Sequence, residues 1–168
     1  TMVMFCSDNG PWLTFKTHGG SAGPLRAGKG TTFEGGQRVP TIFWWPGTIP
    51  AASVVTDIGS ATDMMATLET ICGGEAPSDR TLDSLDLTPA LKGTGKSPRD
   101  DFFYWTRAEL HAVRSGPWKL HLKQREPINY GRAVHLPKPQ LFHLEHDISE
   151  AYDVASGHPE RSEERRVG

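Results

Sequence analysis

Near the start of the chain, apolar residues form short runs that end at polar or glycine-containing turns. Val3 to Cys6 is one such run, and it predicts a short buried strand that delivers the next residues into a turn. Thr41 to Trp45 predicts a second buried strand, closed by Pro46-Gly47. Residues 10–40 are rich in glycine and poor in apolar side chains, which is typical of a functional loop.

From Ser60 onward the apolar spacing becomes helical. The periodic positions are Met64, Met65, Leu68, Ile71 and Cys72, with Gly73-Gly74 as the stop. We interpret this stripe as core packing. Asp86 to Leu91 predicts a short capped helix with Pro89 near its first turn.

Beyond Pro98 the alternation shortens to the period of a strand. Ser115-Gly116-Pro117 fits a hairpin turn, and Ser149 to Ala155 fits a helix. The predicted strands are Phe102–Thr106, Leu110–Arg114, Trp118–Lys123 and Leu141–Leu144. A small antiparallel sheet is therefore expected after a linker near residues 95–99.

This pattern divides the chain into residues 1–95, with strands and helices, residues 96–157, with the small sheet, and a tail. Residues 158–168 are charge-dense and lack an apolar pattern, so they predict a disordered tail that need not be native sequence.

Composition narrows the class of protein. With 36% hydrophobic and 23% charged residues in 168, the chain is globular, and its net charge of −2 provides no basic field for nucleic acid. No apolar run approaches the length of a membrane span, and the first residues lack the features of a signal peptide. We expect sequence upstream of Thr1. Cys6 and Cys72 are too few for a disulfide framework and are interpreted as small buried hydrophobes.

The first candidate site follows the first predicted strand. In Ser7-Asp8-Asn9-Gly10-Pro11, a carboxylate and a carboxamide stand side by side, and both offer the hard oxygen atoms that suit Ca²⁺ or Mg²⁺. Taken alone, the motif also fits an ordinary turn.

Lys29 forms the second candidate site. Its flanking residues Gly28 and Gly30 let backbone and ammonium approach a tetrahedral anion closely. The spacing is not that of a Walker A phosphate loop, since Gly30 stands where Ser or Thr is needed. A solvated loop lysine is the alternative.

Taken in order, these motifs resemble the formylglycine-dependent sulfatases. The resemblance rests on the run from Ser7 to Pro11, on residues 28–36 with Arg38, on Trp45-Pro46-Gly47 and on residues 86–89. It implies an α/β fold in which residues 1–95 are the C-terminal part of an alkaline-phosphatase-like α/β/α sandwich. A small antiparallel sheet with a C-terminal helix follows.

The resemblance also implies roles for particular residues. Asp8 and Asn9 correspond to two later ligands of Ca²⁺, for which Mg²⁺ is an alternative, and Lys29 to the catalytic lysine that contacts sulfate. The family's nucleophile is a formylglycine made within Cys-x-Pro-x-Arg or Ser-x-Pro-x-Arg, and neither pattern occurs in the chain. The formylglycine is therefore expected on an N-terminal part of the same protein, and the chain alone is predicted to be inactive.

Two histidines are further candidates for substrate contact: His18 in the loop between the motifs, and His121 in the predicted strand from Trp118. A solvated His18 is the more ordinary alternative. Glu34 and Arg38 are predicted to brace the loop as an ion pair or through hydrogen bonds.

The leading hypothesis is a fragment of a hydrolase that acts on a small-molecule or carbohydrate sulfate ester. The sequence itself does not give the compartment, and the family resemblance implies a periplasmic or extracellular one. A phosphatase or phosphodiesterase of the same superfamily is one alternative, because phosphate and sulfate make similar demands on a metal and a lysine. A non-catalytic truncated remnant is the other.

Overall fold

The computed structural model describes residues 1–75, 77–125 and 134–163. The strands are β1 Val3–Cys6, β2 Thr41–Trp44, β3 Asp101–Thr106, β4 Glu109–Ser115, β5 Trp118–Gln124 and β6 Val134–His143. The helices are α1 Glu34–Gln37, α2 Met64–Ile71, α3 Thr88–Lys92 and α4 Pro159–Glu163, with 3-10 turns at Ala61–Asp63 and Ala155–Gly157. A further 3-10 segment, Leu13–His18, is interrupted by non-helical backbone at Lys16. The chain divides into two compact units, one of residues 1–5 and 42–101, the other of residues 6–41 and 102–168.

The first unit contains α2, α3 and most of the two-stranded β1-β2 sheet. Its centre is Asp63, a fully buried carboxylate that accepts hydrogen bonds from the backbone N–H groups of Ser60 (2.8 Å) and Leu85 (3.0 Å). Arg99 pairs with the same carboxylate, with Nε 2.8 Å from Oδ2. Burial by itself raises the pKa of Asp63, but the hydrogen bonds from Arg99 and the backbone hold it below 3.8.

The apolar faces of the first unit are less buried than the sequence predicts. The α2 stripe was expected to pack in the core, yet Met65 and Leu68 are exposed and the buried α2 positions are Ala66 and Thr67. Both strands were expected to be buried, but they expose Val3, Phe5, Ile42 and Trp44. Both cysteines are also exposed. The pattern identified which faces are apolar, but the part of the chain that the structure describes leaves them exposed.

The second unit is built on a sheet of order β3-β4-β5-β6. The β4/β5 and β5/β6 pairs are antiparallel, so the predicted small antiparallel sheet is confirmed. Ser115 pairs with Trp118, leaving Gly116-Pro117 as a two-residue turn in which Gly116 takes a φ of +52°. The buried apolar residues of this unit are Phe33, Tyr104, Ala112, Val113, Leu120, Leu141, Phe142 and Leu144.

Two predictions for the C-terminal region are corrected. The helix expected near Ser149 to Ala155 is absent from that segment, where the Asp147 carboxylate instead accepts backbone hydrogen bonds from Ala151 and Tyr152 at 2.8 Å. A C-terminal helix does form, as α4 at Pro159–Glu163, inside the stretch predicted to be disordered. The rest of that predicted tail, residues 164–168, lies outside the described residues.

The predicted linker near residues 95–99 is fixed within the first unit. The Ser97 backbone N–H donates to Asp57 Oδ2 (2.8 Å), its hydroxyl donates to the Ile58 carbonyl (2.6 Å), and Arg99 pairs with Asp63. The first compact unit ends at residue 101, and residues 6–41 belong to the same unit as the C-terminal sheet. The predicted domain boundary at residue 95 stays a prediction.

No helix within the described ranges is long and apolar enough to cross a membrane.

Candidate anion and metal site

The turn after β1 holds Asp8 and Asn9 at the start of the second unit. The Ser7 hydroxyl donates to the Asn9 carbonyl (2.8 Å), which closes the turn locally. The Gly10 N–H then donates to the Gly36 carbonyl at 3.2 Å. Asp8 is exposed and Asn9 is half-buried, so both residues are at least partly accessible from a backbone fixed by these hydrogen bonds.

The Lys29 loop is joined to that turn by a second backbone hydrogen bond, from the Lys29 N–H to the Pro11 carbonyl at 2.9 Å. Glycine permits this close approach. A Cβ on Gly10 would overlap the Gly35 carbonyl oxygen, and one on Gly28 would overlap the Pro11 carbonyl oxygen. The structure thus brings together the two segments that carry the predicted metal ligands and the predicted catalytic lysine.

Lys29 is half-buried, and its ammonium lies 5.3 Å from the centre of the Trp12 ring. The negative face of an indole attracts a cation at this distance. Trp12 is itself held by its backbone N–H, which donates to the Gly19 carbonyl (3.0 Å), and by contact with the Phe15 ring. The Lys29 ammonium therefore lies beside the Trp12 ring and remains accessible to an anion.

His18 ends the 3-10 segment Leu13–His18 in the same connection, and its side chain is exposed. Its position leaves the ring free to meet a ligand, and substrate contact stays a prediction.

His121 is placed differently from the sequence expectation. Its side chain is fully buried, its Nε2 lies 2.7 Å from Glu150 Oε1, and its ring packs against Phe33 and Phe142. No part of the residue reaches the surface, so its position argues against the predicted contact with substrate. Its neighbours show that it belongs to a buried polar cluster.

This buried cluster consists of Glu34, Tyr104, Arg114, Lys119, His121 and Glu150. Lys119, which is wholly inaccessible, lies between two carboxylates, with Nζ 2.9 Å from Glu34 Oε1 and 3.1 Å from Glu150 Oε1. Glu150 also accepts the Glu34 backbone N–H at 2.6 Å. Because Glu34 begins α1 directly after the Lys29 loop, the cluster anchors that loop to the sheet.

Glu34 has the bracing role that the sequence predicted, but with different partners. Its carboxylate accepts from Tyr104 (2.9 Å) and Lys119 and pairs with Arg114 (3.3 Å), whereas Arg38 reaches Glu34 through a backbone hydrogen bond of helix α1. Burial by itself raises the pKa of Glu34, but the Lys119 ammonium, the Arg114 guanidinium and the Tyr104 hydroxyl together hold it below 4.5. Burial also raises the pKa of Tyr104, beside Glu34, well above 10.0.

The sequence pattern does not predict Lys119 and Glu150 as partners of Glu34. The available signal was weak: Lys119 and His121 are polar residues two apart within an otherwise strand-like run, which places both on one face of β5. Nothing local marks Glu150, which takes a φ of +50° after the Asp147 turn.

Asp8 and Asn9 could supply only some of the ligands that a metal ion needs. Asp8 and Asn9 are hard oxygen donors next to each other, as Ca²⁺ or Mg²⁺ requires, but Ca²⁺ takes about 6 to 8 oxygen ligands. Within residues 1–75, 77–125 and 134–163, no three His, Cys, Asp or Glu side chains group closely enough to hold a metal ion. The two residues therefore suit part of a coordination shell.

The second unit is expected to lose stability as the pH falls below 6.5. Burial lowers the pKa of His121 below its ordinary value of 6.5, and Nδ1 has no hydrogen-bond partner among the described residues that could stabilise a second proton. The unfolded chain therefore binds a proton in a range where the folded chain does not, and acidification favours unfolding. Burial lowers the pKa of His111 in the same direction.

Urea unfolding followed from about pH 8 to about pH 5 measures this dependence. A His121→Gln variant should show a smaller loss than the wild type, whereas His135→Gln, at an exposed position of β6, should retain the full loss. A His121→Gln profile parallel to that of the wild type would contradict the assignment.

Comparison with known proteins agrees with this arrangement. The family model "Sulfatase" matches residues 1–73, and the model for the C-terminal region of aryl-sulfatase matches residues 97–166. The second match includes most of the predicted tail, which argues that the sequence to residue 166 belongs to the family.

Among curated relatives, arylsulfatase A of Bos taurus is 39% identical over 171 residues, covering 92% of this chain and 33% of its own length. N-acetylgalactosamine-6-sulfatase of Canis lupus familiaris is also 39% identical, with 92% and 34% covered. The chain thus spans about a third of the length of these relatives.

Solved structures agree. The PsFucS1 sulfatase of Pseudoalteromonas sp. superposes with a TM-score of 0.84 at 32% identity, covering 99% of this chain and 36% of the other. Ps i-CgsB in complex with k-i-k-neocarrahexaose gives a TM-score of 0.73 at 31% identity, covering 95% of this chain and 33% of the other. The matched motifs, the fold and the joined turn and lysine loop lead to one conclusion: the chain belongs to the sulfatase family and corresponds to its C-terminal portion.

Proposed function

We propose that this chain supplies the later metal ligands and the sulfate-contacting lysine of an enzyme that hydrolyses sulfate esters. The observation that carries the proposal is the pair of backbone hydrogen bonds, Gly10 to Gly36 and Lys29 to Pro11, that joins the Asp8-Asn9 turn to the Lys29 loop. A sulfate group bound there would contact both a metal ion held by Asp8 and Asn9 and the Lys29 ammonium, because the two backbone hydrogen bonds hold the turn and the loop together.

Each residue has a distinct task in this proposal. Asp8 and Asn9 contribute oxygen ligands for Ca²⁺, with Mg²⁺ as the alternative; the bound metal would act as a Lewis acid on the sulfate oxygens. Lys29, oriented by the Trp12 ring, binds the anion and neutralises charge that develops on the leaving oxygen. His18 lies exposed in the same connection and is the candidate for a substrate hydroxyl contact.

The remaining parts of the reaction are assigned outside the 168 residues. The chain has no Cys-x-Pro-x-Arg or Ser-x-Pro-x-Arg pattern from which a formylglycine could form. We therefore assign the nucleophile and the other metal ligands to an N-terminal part of the same protein, and expect the chain alone to be inactive.

A sulfated carbohydrate is the substrate class we favour. One relative is named for an N-acetylgalactosamine sulfate, and one similar structure holds a carbohydrate oligomer. A phosphate ester would place similar demands on metal and lysine, but the similar proteins described above are sulfatases.

Sulfate binding tests the site directly. In a titration of the chain with sodium sulfate in the presence of Ca²⁺, followed by backbone amide NMR, Lys29→Ala should weaken binding about tenfold, which corresponds to about 1.4 kcal/mol. Lys92→Ala, at an exposed lysine of the first unit, should leave the affinity unchanged. Equal affinity in Lys29→Ala and in the wild type would contradict the assignment.

Activity requires two further measurements. The purified chain should release no product from 4-nitrophenyl sulfate, and turnover would show that the nucleophile is wrongly placed outside it. A hybrid in which the chain replaces the matching third of bovine arylsulfatase A, verified to unfold cooperatively, should hydrolyse the same ester and lose that activity in Lys29→Ala but not in Lys92→Ala. An active Lys29→Ala hybrid would exclude the lysine from the reaction.

A further inference from the structure

Two exposed aromatic rings, Trp12 and Phe15, lie in the connection that leads to the Lys29 loop, and the proposed reaction gives neither of them a contact with substrate. Trp12 is 42% exposed and Phe15 is 52% exposed. Their ring centroids are 4.3 Å apart and their planes are inclined by 42°, so the rings are in contact and form one apolar surface, the aromatic pair. Aromatic surface beside a few polar groups is typical of small-molecule sites.

The backbone that carries the aromatic pair is closed by its own hydrogen bonds. The Trp12 N–H donates to the Gly19 carbonyl (3.0 Å), and the Phe15 N–H donates to the Trp12 carbonyl (2.9 Å). The Gly19 N–H in turn donates to the Lys16 carbonyl at 3.1 Å. A Cβ on Gly19 would overlap the Trp12 carbonyl oxygen, so only glycine permits this closure. The rings are therefore positioned before a ligand arrives, which lowers the entropic cost of binding.

Lys16, directly after Phe15, has an unusual backbone conformation. Its φ is +51° and its ψ is −122°, which interrupts the 3-10 segment. Side chains with a Cβ disfavour this region, and glycine is the residue that adopts it readily. Strain of this kind persists where the surrounding structure imposes it, and it is concentrated at ligand-binding sites.

The aromatic pair is also fixed relative to Lys29. Pro11, the residue before Trp12, accepts the Lys29 N–H at 2.9 Å. The Leu13 side chain packs so closely on Gly28 that a Cβ at Gly28 would overlap it. The Lys29 ammonium lies 5.3 Å from the centre of the Trp12 ring. An anion bound at this ammonium therefore lies next to the aromatic pair.

The chemistry of the two partners determines how a sulfate ester is oriented there. The electron-rich face of an aromatic ring repels anionic oxygens and attracts the weakly positive C–H edge of another group. The sulfate oxygens therefore lie toward the Lys29 ammonium, and the alcohol part of the ester lies toward Trp12 and Phe15. A flat ring on the ester oxygen has enough surface to contact the aromatic pair, whereas a methyl group does not.

We propose that Trp12 and Phe15 are specificity-determining residues, which bind a flat apolar ring carried by the alcohol part of the sulfate ester. The site then favours an ester of a ring-bearing alcohol over an acyclic ester with the same sulfate group. This assignment rests on the proposed function of Lys29. It concerns the group attached to the sulfate, and neither aromatic ring takes part in bond cleavage.

Phenyl sulfate and methyl sulfate are suitable probes, compared in amide NMR titrations of the whole chain in the presence of Ca²⁺. Phenyl sulfate should bind about three to ten times more tightly, the size expected for an aromatic contact. Its ring protons should show nuclear Overhauser effects to the Trp12 and Phe15 side chains. Phe15→Ala should bring the affinity ratio of the two esters close to one, whereas Phe15→Tyr, which retains a ring, should preserve the ratio.

Two further variants separate the possible causes. Phe103→Ala removes an exposed aromatic ring of the same unit outside the aromatic pair and should preserve the ratio. Lys29→Ala should weaken the binding of both esters; wild-type affinity for both would overturn the proposed function of Lys29, and this proposal with it. If binding depends on Lys29 but the wild-type ratio is one, or if Phe15→Ala preserves the ratio, only the role of the aromatic pair is overturned.

Discussion

The Lys119→Met variant is expected to lose about 3 to 5 kcal/mol of folding stability, because it leaves buried carboxylates without their ammonium partner. Lys119 Nζ is within 3.1 Å of oxygens of both Glu34 and Glu150, and none of the three side chains is more than 1% exposed. Methionine matches the length of the lysine stem but cannot neutralise the carboxylates. Urea unfolding at neutral pH measures the loss.

The matched control is Lys123→Met on the same strand. Lys123 pairs with Glu109 at 3.2 Å, but that carboxylate is 58% exposed, so its charge remains hydrated when the lysine is lost. We expect a change below about 1 kcal/mol.

Adding Glu34→Gln to Lys119→Met tests the cause of the loss. If the unpaired carboxylate is responsible, the double variant should regain part of the stability. A single Lys119→Met variant within 1 kcal/mol of the wild type would show that the ion pairs of the cluster are not needed for folding.

The sheet of the second unit could be predicted because its signals are local. Alternation with a period of two marks strands, and Gly116-Pro117 marks the turn between β4 and β5. The expectation that Glu34 braces the loop also came from the sequence. Its partners could not, because Tyr104 and Lys119 lie 70 and 85 positions away and only the fold brings them together.

Burial was predicted less well than secondary structure. The apolar stripe of α2 correctly indicated a helix, yet Met65 and Leu68 are exposed, as is Trp44 on β2. A periodic pattern shows which face favours burial but does not show whether the same chain has a layer to cover it. Exposed apolar faces of this kind mark surfaces for interaction, and they are compatible with the proposed upstream part of the protein.

In the candidate site, too, features set by neighbouring residues could be predicted, whereas contacts with residues distant in sequence could not. Asp8, Asn9 and Lys29 were identified by residue type and motif order, and the structure shows their segments joined by backbone hydrogen bonds. For His121, alternation along β5 does not distinguish a face that contacts substrate from one that packs against Phe33 and Glu150, as this side chain does. For a polar residue in a strand, the deciding fact was the tertiary partner.

Gly10→Ala is expected to disturb the candidate site more than any other small substitution in the turn. A Cβ at this buried position would overlap the Gly35 carbonyl oxygen, a backbone atom that cannot rotate aside. Relief requires the turn and the loop to separate, which weakens the Gly10 to Gly36 hydrogen bond of 3.2 Å. We expect a loss on the order of 1 to 3 kcal/mol in urea unfolding, together with shifted amide resonances at Lys29 and Gly36.

Gly157→Ala isolates this steric effect, because a Cβ at Gly157 meets no atom within 4 Å in the same unit. Its stability should stay within about 0.5 kcal/mol of the wild type. If the two segments must touch for anion binding, Gly10→Ala should also weaken sulfate binding although Asp8, Asn9 and Lys29 are all retained. A Gly10→Ala chain with wild-type stability and sulfate affinity would mean that the site does not depend on the contact between turn and loop.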